Sequence, residues 1–194
     1  MRQLKVIATC AALALTACSH QQAEVRTGYT IWDVPANPQT DAKAFYAALK
    51  SGLEATGTKF TVSIDPPPNP LPDQPGRFTT VNPLQNSKMA ALMGTGAGNF
   101  KTASCDGASF VANLANDDMN RYGENTQFVA CAFPYANGFS VNVWHKFMMN
   151  KSNIGASVAR SVLGDSSQFI PRTVDSVVSG LRSAGYIPTV VDSF

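Results

Sequence analysis

Gln127-Phe128-Val129-Ala130-Cys131-Ala132-Phe133-Pro134-Tyr135-Ala136-Asn137-Gly138-Phe139-Ser140-Val141-Asn142-Val143-Trp144-His145-Lys146-Phe147-Met148-Met149 is the stretch that decides the fold. Two apolar runs flank Asn137-Gly138. Asn-Gly in that setting is a strong hairpin signal, because a type I′ turn needs positive φ at both central positions. A turn there sets Ala136 opposite Phe139, Cys131 opposite Trp144 and Phe128 opposite Phe147. Side chains alternate across a strand. One face then carries Phe128, Ala130, Ala132, Val141, Val143, His145 and Phe147. The other carries Val129, Cys131, Phe133, Tyr135, Asn142, Trp144 and Lys146. Both faces are apolar at the centre, so the hairpin is expected at mid-sheet, with helices over one face and loop over the other.

Working outward, residues 28–34 read as a strand, with Tyr29 and Ile31 on one side and Trp32 and Val34 on the other. Pro35 and Pro38 end it. Thr40 or Asp41 is positioned to cap a helix running to about Thr56, with Phe45, Ala48, Leu49, Gly52 and Leu53 on one face. Residues 59–65 alternate as a half-buried strand: Phe60, Val62 and Ile64 face one way, Thr61 and Ser63 the other. Half of residues 65–76 are proline, which forms neither helix nor central strand. This segment reads as a stiff surface connection rather than a docking motif for an aromatic groove.

Residues 77–81 and 108–114 read as strands, and 83–93 and 154–163 as helices. Residues 116–125 are polar and turn-like. A longer helix is expected over 169–184, with Pro171 in its first turn and Ile170, Val174, Val177, Val178 and Leu181 as its stripe. Gly185 ends it and residues 186–191 form a last strand. The order predicts an α+β fold: a two-layer sandwich, mainly antiparallel, with helices on one face. A decorated ferredoxin-like unit satisfies that order.

The chain has 194 residues, 44% of them apolar and 14% charged, against about 25% charged in an average globular chain. That excludes a charge-driven disordered protein and an ordinary coiled coil. A mean hydropathy of -0.06 excludes a polytopic membrane protein.

Arg2 and Lys5 precede an apolar run over 6–15, and Leu15-Thr16-Ala17-Cys18 follows. A basic end, a short apolar middle and small residues at the cut form a secretory signal. The run is too short to span a bilayer, which takes about 20 apolar residues. Leu15-Thr16-Ala17-Cys18 resembles the lipobox of bacterial lipoproteins. The resemblance implies a signal peptide over 1–17, cleavage before Cys18 and lipid on its thiol and freed amine. Ser19, not aspartate, follows Cys18. By analogy with enterobacterial sorting this implies the outer membrane, with the chain facing the periplasm. Residues 18–27 are then a lipidated tether and 28–194 one domain. Removing Arg2 and Lys5 from the 15 basic residues leaves 13, equal to the 13 acidic ones. No global basic field remains to attract nucleic acid.

With Cys18 claimed by lipid and Cys10 lost with the signal, Cys105 and Cys131 remain. The periplasm is oxidising, so a Cys105–Cys131 disulfide is expected. Closing a loop of about 27 residues contributes roughly 3.5 kcal/mol in the chain-entropy account.

No catalytic set emerges. His20 lies in the tether and His145 on a strand among Val141, Val143 and Phe147. There is no G-x-S-x-G elbow. Gly94-Thr95-Gly96-Ala97-Gly98 lacks the following Gly-Lys-Ser/Thr of a phosphate loop. Asp117, Asp118 and Glu124 lack calcium-loop spacing. His145, Met148 and Met149 offer soft copper ligands, but methionines there read as core filler. No cofactor or metal is expected. The leading expectation is a non-enzymatic, membrane-held binding or assembly module with an envelope protein partner. The alternative is an envelope hydrolase, or a small-ligand or metal-binding protein, whose site the sequence does not bring together.

Overall fold

The computed structural model describes residues 24–56, 59–84, 88, 100–116, 124–149 and 168–194. Among the described residues eight strands occupy Glu24–Pro35 (β1), Phe60–Ile64 (β2), Thr79–Val81 (β3), Thr102–Ser104 (β4), Phe110–Asn116 (β5), Glu124–Tyr135 (β6), Gly138–Met149 (β7) and Thr189–Ser193 (β8). Among the described residues two helices of more than one turn occupy Pro38–Glu54 (α1) and Phe169–Ser183 (α2). Six strands form one antiparallel sheet in the order β2-β5-β6-β7-β1-β8, and β3-β4 is a small separate ribbon. Both helices pack on one face, giving the expected two-layer α+β sandwich. Within it, β8-β1-β7-β6 is the strand order of two interlocked split β-α-β units, the ferredoxin-like arrangement, and β5 and β2 extend the sheet beyond it.

The faces follow the alternation. Trp32, Val34, Phe110, Phe128, Ala130, Ala132, Val141 and Val143 meet Phe45, Leu49 and Leu53 of α1 and Val177 and Leu181 of α2. At the centre the Phe45 ring stacks on Phe139, with centroids 3.9 Å apart, and Tyr186 meets it edge-on at 5.0 Å. The opposite face holds Val129, Cys131, Phe133 and Trp144. Tyr29 of β1 extends it, and Phe78, Ala103 and Cys105 cover it from loop and ribbon, as a sheet apolar on both sides requires.

The Pro-rich segment is built into the protein's own surface. Asp65 N–H donates to Ser109 O at 2.8 Å and Ala136 N–H to Pro72 O at 2.9 Å. Gly76 lies so close to Phe133 that a Cβ there would fall 2.5 Å from the ring. The buried Asn142 pins the continuation: its Oδ1 accepts from Phe78 N–H at 3.2 Å and its Nδ2 donates to Ser140 Oγ at 2.8 Å. Cys105 is bonded to Cys131, with Cα atoms 5.9 Å apart, and ties the β4 region to β6.

Several local readings change. The hairpin pairs Tyr135 with Gly138, Cys131 with Asn142 and Phe128 with His145. Its loop is therefore Ala136-Asn137, not Asn137-Gly138. A shift of two leaves every residue on its expected face, since strand periodicity is two. Among the described residues only glycines have positive φ, so Asn137 does not adopt the type I′ conformation. Gly138 serves a different contact: a Cβ on it would run into the carbonyl oxygen of Val34 in β1. The cap of α1 is Asn37, whose side chain accepts from Gln39 N–H at 3.1 Å, with Pro38 in the first turn rather than ending the strand. Asp41 accepts from Asn37 N–H at 3.0 Å in return. That bond first, and Thr40 second, hold the Asp41 carboxyl below its usual range.

β1 begins at Glu24, four residues inside the expected tether, and the last strand runs 189–193 rather than 186–191. Glu124 opens β6 and is fully buried, not part of a solvated loop. The helix over 154–163 and nearly all of the one over 83–93 lie outside the described residues, as does Cys18.

Candidate functional site

β2 is one edge of the sheet. Its Phe60, Val62 and Ile64 pair with Leu114, Ala112 and Phe110, which places them on the helix face. α1 sends Phe45, Leu49 and Leu53 into the core over mid-sheet, so it covers the β2 edge incompletely. Phe60 and Val62 are half-buried and Ile64 is 50% exposed. What remains between helix and edge is a groove of two adjoining cavities. One, about 400 Å³, is lined by Ala42, Tyr46, Ala47, Ile64, Pro66 and Pro67, with Lys43, Lys50 and Asp65 at its borders. The other, about 600 Å³, is lined by Lys50, Glu54, Lys59, Phe60 and Val62.

The groove wall is apolar and its rim is charged. Tyr46 is 3% exposed, its ring 5.8 Å from that of Phe110. Burial pushes its phenol up, opposed by the Ser109 hydroxyl. Lys43, Lys50 and Lys59 outnumber Glu54 and Asp65. Lys50 reaches Glu54 at 3.6 Å on an exposed turn, a contact worth little in water. Such a groove can bury apolar side chains and favours acidic neighbours. On the opposite face of the same edge, Thr61, Thr102, Asn113 and Gln127 line a cavity of about 410 Å³.

The groove is hidden in the sequence because the apolar stripe of α1 marks only its core face. Ala42, Tyr46 and Lys50 recur every four residues along its flank. That second row is the available signal.

The residues singled out by chemistry do not converge. His145 lies between Gly28 of β1 and Phe128 of β6. A Cβ on Gly28 would fall 2.7 Å from its ring. Burial lowers its pKa, and Nδ1 is enclosed without a hydrogen-bond partner among the described residues. Met149 shares its face, whereas Met148 points to the other side, so the soft-ligand trio is split. Among the described residues no group of three or more His, Cys, Asp or Glu could hold a metal ion. Asp117, Asp118, His20 and residues 94–98 lie outside the described residues. Lys146, whose pKa burial lowers, stands 5.6 Å above the Phe100 ring. Among the described residues no helix is long and apolar enough to cross a membrane.

No protein-family model and no curated protein matches this chain. Among solved structures it is similar to the protein TTHA0849 from Thermus thermophilus, with a TM-score of 0.26 and 13% identity over 84% of this chain and 96% of that one. A likeness at that level carries no argument.

Proposed function

We propose that this chain is a lipid-anchored protein of the outer membrane, facing the periplasm, that acts as a non-enzymatic binding or assembly module for another envelope protein. The observation that carries the reading is the open apolar groove between α1, β2 and Pro66-Pro67. Exposed apolar clefts with polar rims suit docking. The lipobox-like Leu15-Thr16-Ala17-Cys18 supports the anchor. Five residues lie between Cys18 and Glu24, the start of β1, and the six steps reach at most about 20 Å. The groove would thus be held near the membrane surface. Stable anchoring takes more than one acyl chain, which modification of both the thiol and the amine supplies.

Two measurements test this. Cys18→Ala should release the protein from sedimented membranes; retention equal to wild type removes the anchor. A photo-crosslinking amino acid at Ala47, in the groove, should trap an envelope protein in living cells. The same probe at Thr189, on the other sheet edge, should not. If Ala47 yields no adduct, or both positions yield the same adducts, the groove is not the docking surface.

A further inference from the structure

We propose that the β2 edge receives an extended, acidic segment of the partner as an additional strand of the sheet. This rests on the reading of the groove as a docking surface and names what enters it.

Phe60–Ile64 pairs with β5 on one side only, and no described strand lies on the other. Outward N–H and C=O groups of an edge strand are a template for another strand. Proteins usually guard such edges with charge, proline or a bulge. Phe60-Thr61-Val62-Ser63-Ile64 has none of these, and its five pairs with β5 run without a break. The guards stand at its two ends, Lys59 before it and Asp65-Pro66-Pro67-Pro68 after it. The open window is five residues long. The opposite edge differs: β8 has a register shift opposite Ile31/Trp32, and Asp192 is tied to Arg77 at 2.9 Å.

Every second side chain of an added strand would point to the helix face, roughly 7 Å apart. There it meets the two cavities of about 400 and 600 Å³. The larger apolar wall, with Tyr46, Ala47 and Ile64, takes an aliphatic side chain. Charge selects the rest of the segment. Lys43 and Lys59 are exposed on the rim and make no ion pair with a described residue. With equal numbers of acidic and basic residues from Cys18 onward, the attraction is local to this rim and screened by salt. Main-chain bonds supply affinity and alternate pockets supply specificity.

The test uses full-length protein in mild detergent and a fluorescent nonapeptide with valine at positions 3, 5 and 7, glutamate at positions 1 and 9 of the same face, and threonine at the even positions. Three comparisons accompany it: lysine replacing glutamate, N-methylation at every second amide, and added salt. The expected result is binding that weakens about tenfold with either altered peptide and with Lys43→Glu plus Lys59→Glu. Salt should weaken it too. Hydrogen exchange should slow at residues 60–64. Equal affinity for the lysine or N-methylated peptide overturns the proposal. So does protection at 189–193 instead, self-association that shields 60–64 without peptide, or no binding at about 1 mM. If peptides fail while the Ala47 crosslink forms, strand addition is wrong and the docking surface stands. If both fail, both readings fall.

Discussion

Gly52 of α1 and Gly180 of α2 bring the two helices into backbone contact. A Cβ on Gly180 would fall 2.8 Å from Gly52 Cα and 2.7 Å from Ala48 O. One on Gly52 would fall 2.6 Å from Ser176 O. Neither obstacle is a side chain that can rotate away. The pair lets both helices share one sheet face. Ala in place of a helical Gly gains about 1 kcal/mol in propensity, but overpacking costs about 1–3 kcal/mol. Gly180→Val, whose branched Cβ forfeits most of that propensity gain, should therefore lower the urea midpoint clearly. Midpoints for Gly180→Val and wild type that coincide would contradict the close packing.

The hairpin loop makes a paired prediction. Asn137 is exposed and has negative φ, so Asn137→Ala should change stability by less than about 0.5 kcal/mol. Gly138 is buried against the Val34 carbonyl. Gly138→Val should cost at least about 1–3 kcal/mol by overpacking. Thermal melting of both variants separates this loop from a type I′ turn at Asn137-Gly138, for which Asn137→Ala would be the costly change.

The Cys105–Cys131 bond links residues 26 positions apart. Its loss should lower stability by about 2–5 kcal/mol. Exchange should quicken first at Phe78, Ala103 and the β3–β4 ribbon, which lie over Cys131, and later at α1 and α2. Thiol counting on denatured, unreduced protein should find neither cysteine free. Uniform loosening of the whole molecule would argue against this division.

Tyr135 donates to Asp33 at 2.5 Å. Burial first, then the hydrogen bond to Asp33 and its charge, push the Tyr135 phenol up to about 12. In the unfolded chain a tyrosine titrates near 10. Between these values the native state holds more protons, so stability falls as pH rises. The contribution is complete below about pH 10 and disappears as pH climbs through about 12. At neutral pH Tyr135→Phe should cost about 1–2 kcal/mol. The gap between variant and wild type should narrow in denaturation series from about pH 9 to 12. A gap independent of pH would rule out the shifted phenol.

The faces of the strands, the main helices and the cysteine pairing are legible in the chain before it folds. Phe128, Ala130 and Ala132 against Val129, Cys131 and Phe133 is a period-two pattern, and it survives any even register shift. Phe45, Leu49 and Leu53 mark α1 just as locally. The cysteines pair by counting once the signal and lipobox reading sets both Cys10 and Cys18 aside. Other features are non-local and exist only after assembly. Gly138 reads as a turn residue until β1 is laid against it and Val34 O occupies the space of a Cβ. Asn142 looks like a polar interruption until Phe78 arrives from 64 positions away to use its amide. The groove depends on β2 taking the edge and on α1 lying over mid-sheet, so that Tyr46, Ile64 and Pro66 meet. Strand order is set by which apolar faces exclude water together. No local periodicity records that choice, and so the edge position of β2 appears only when the sheet is assembled.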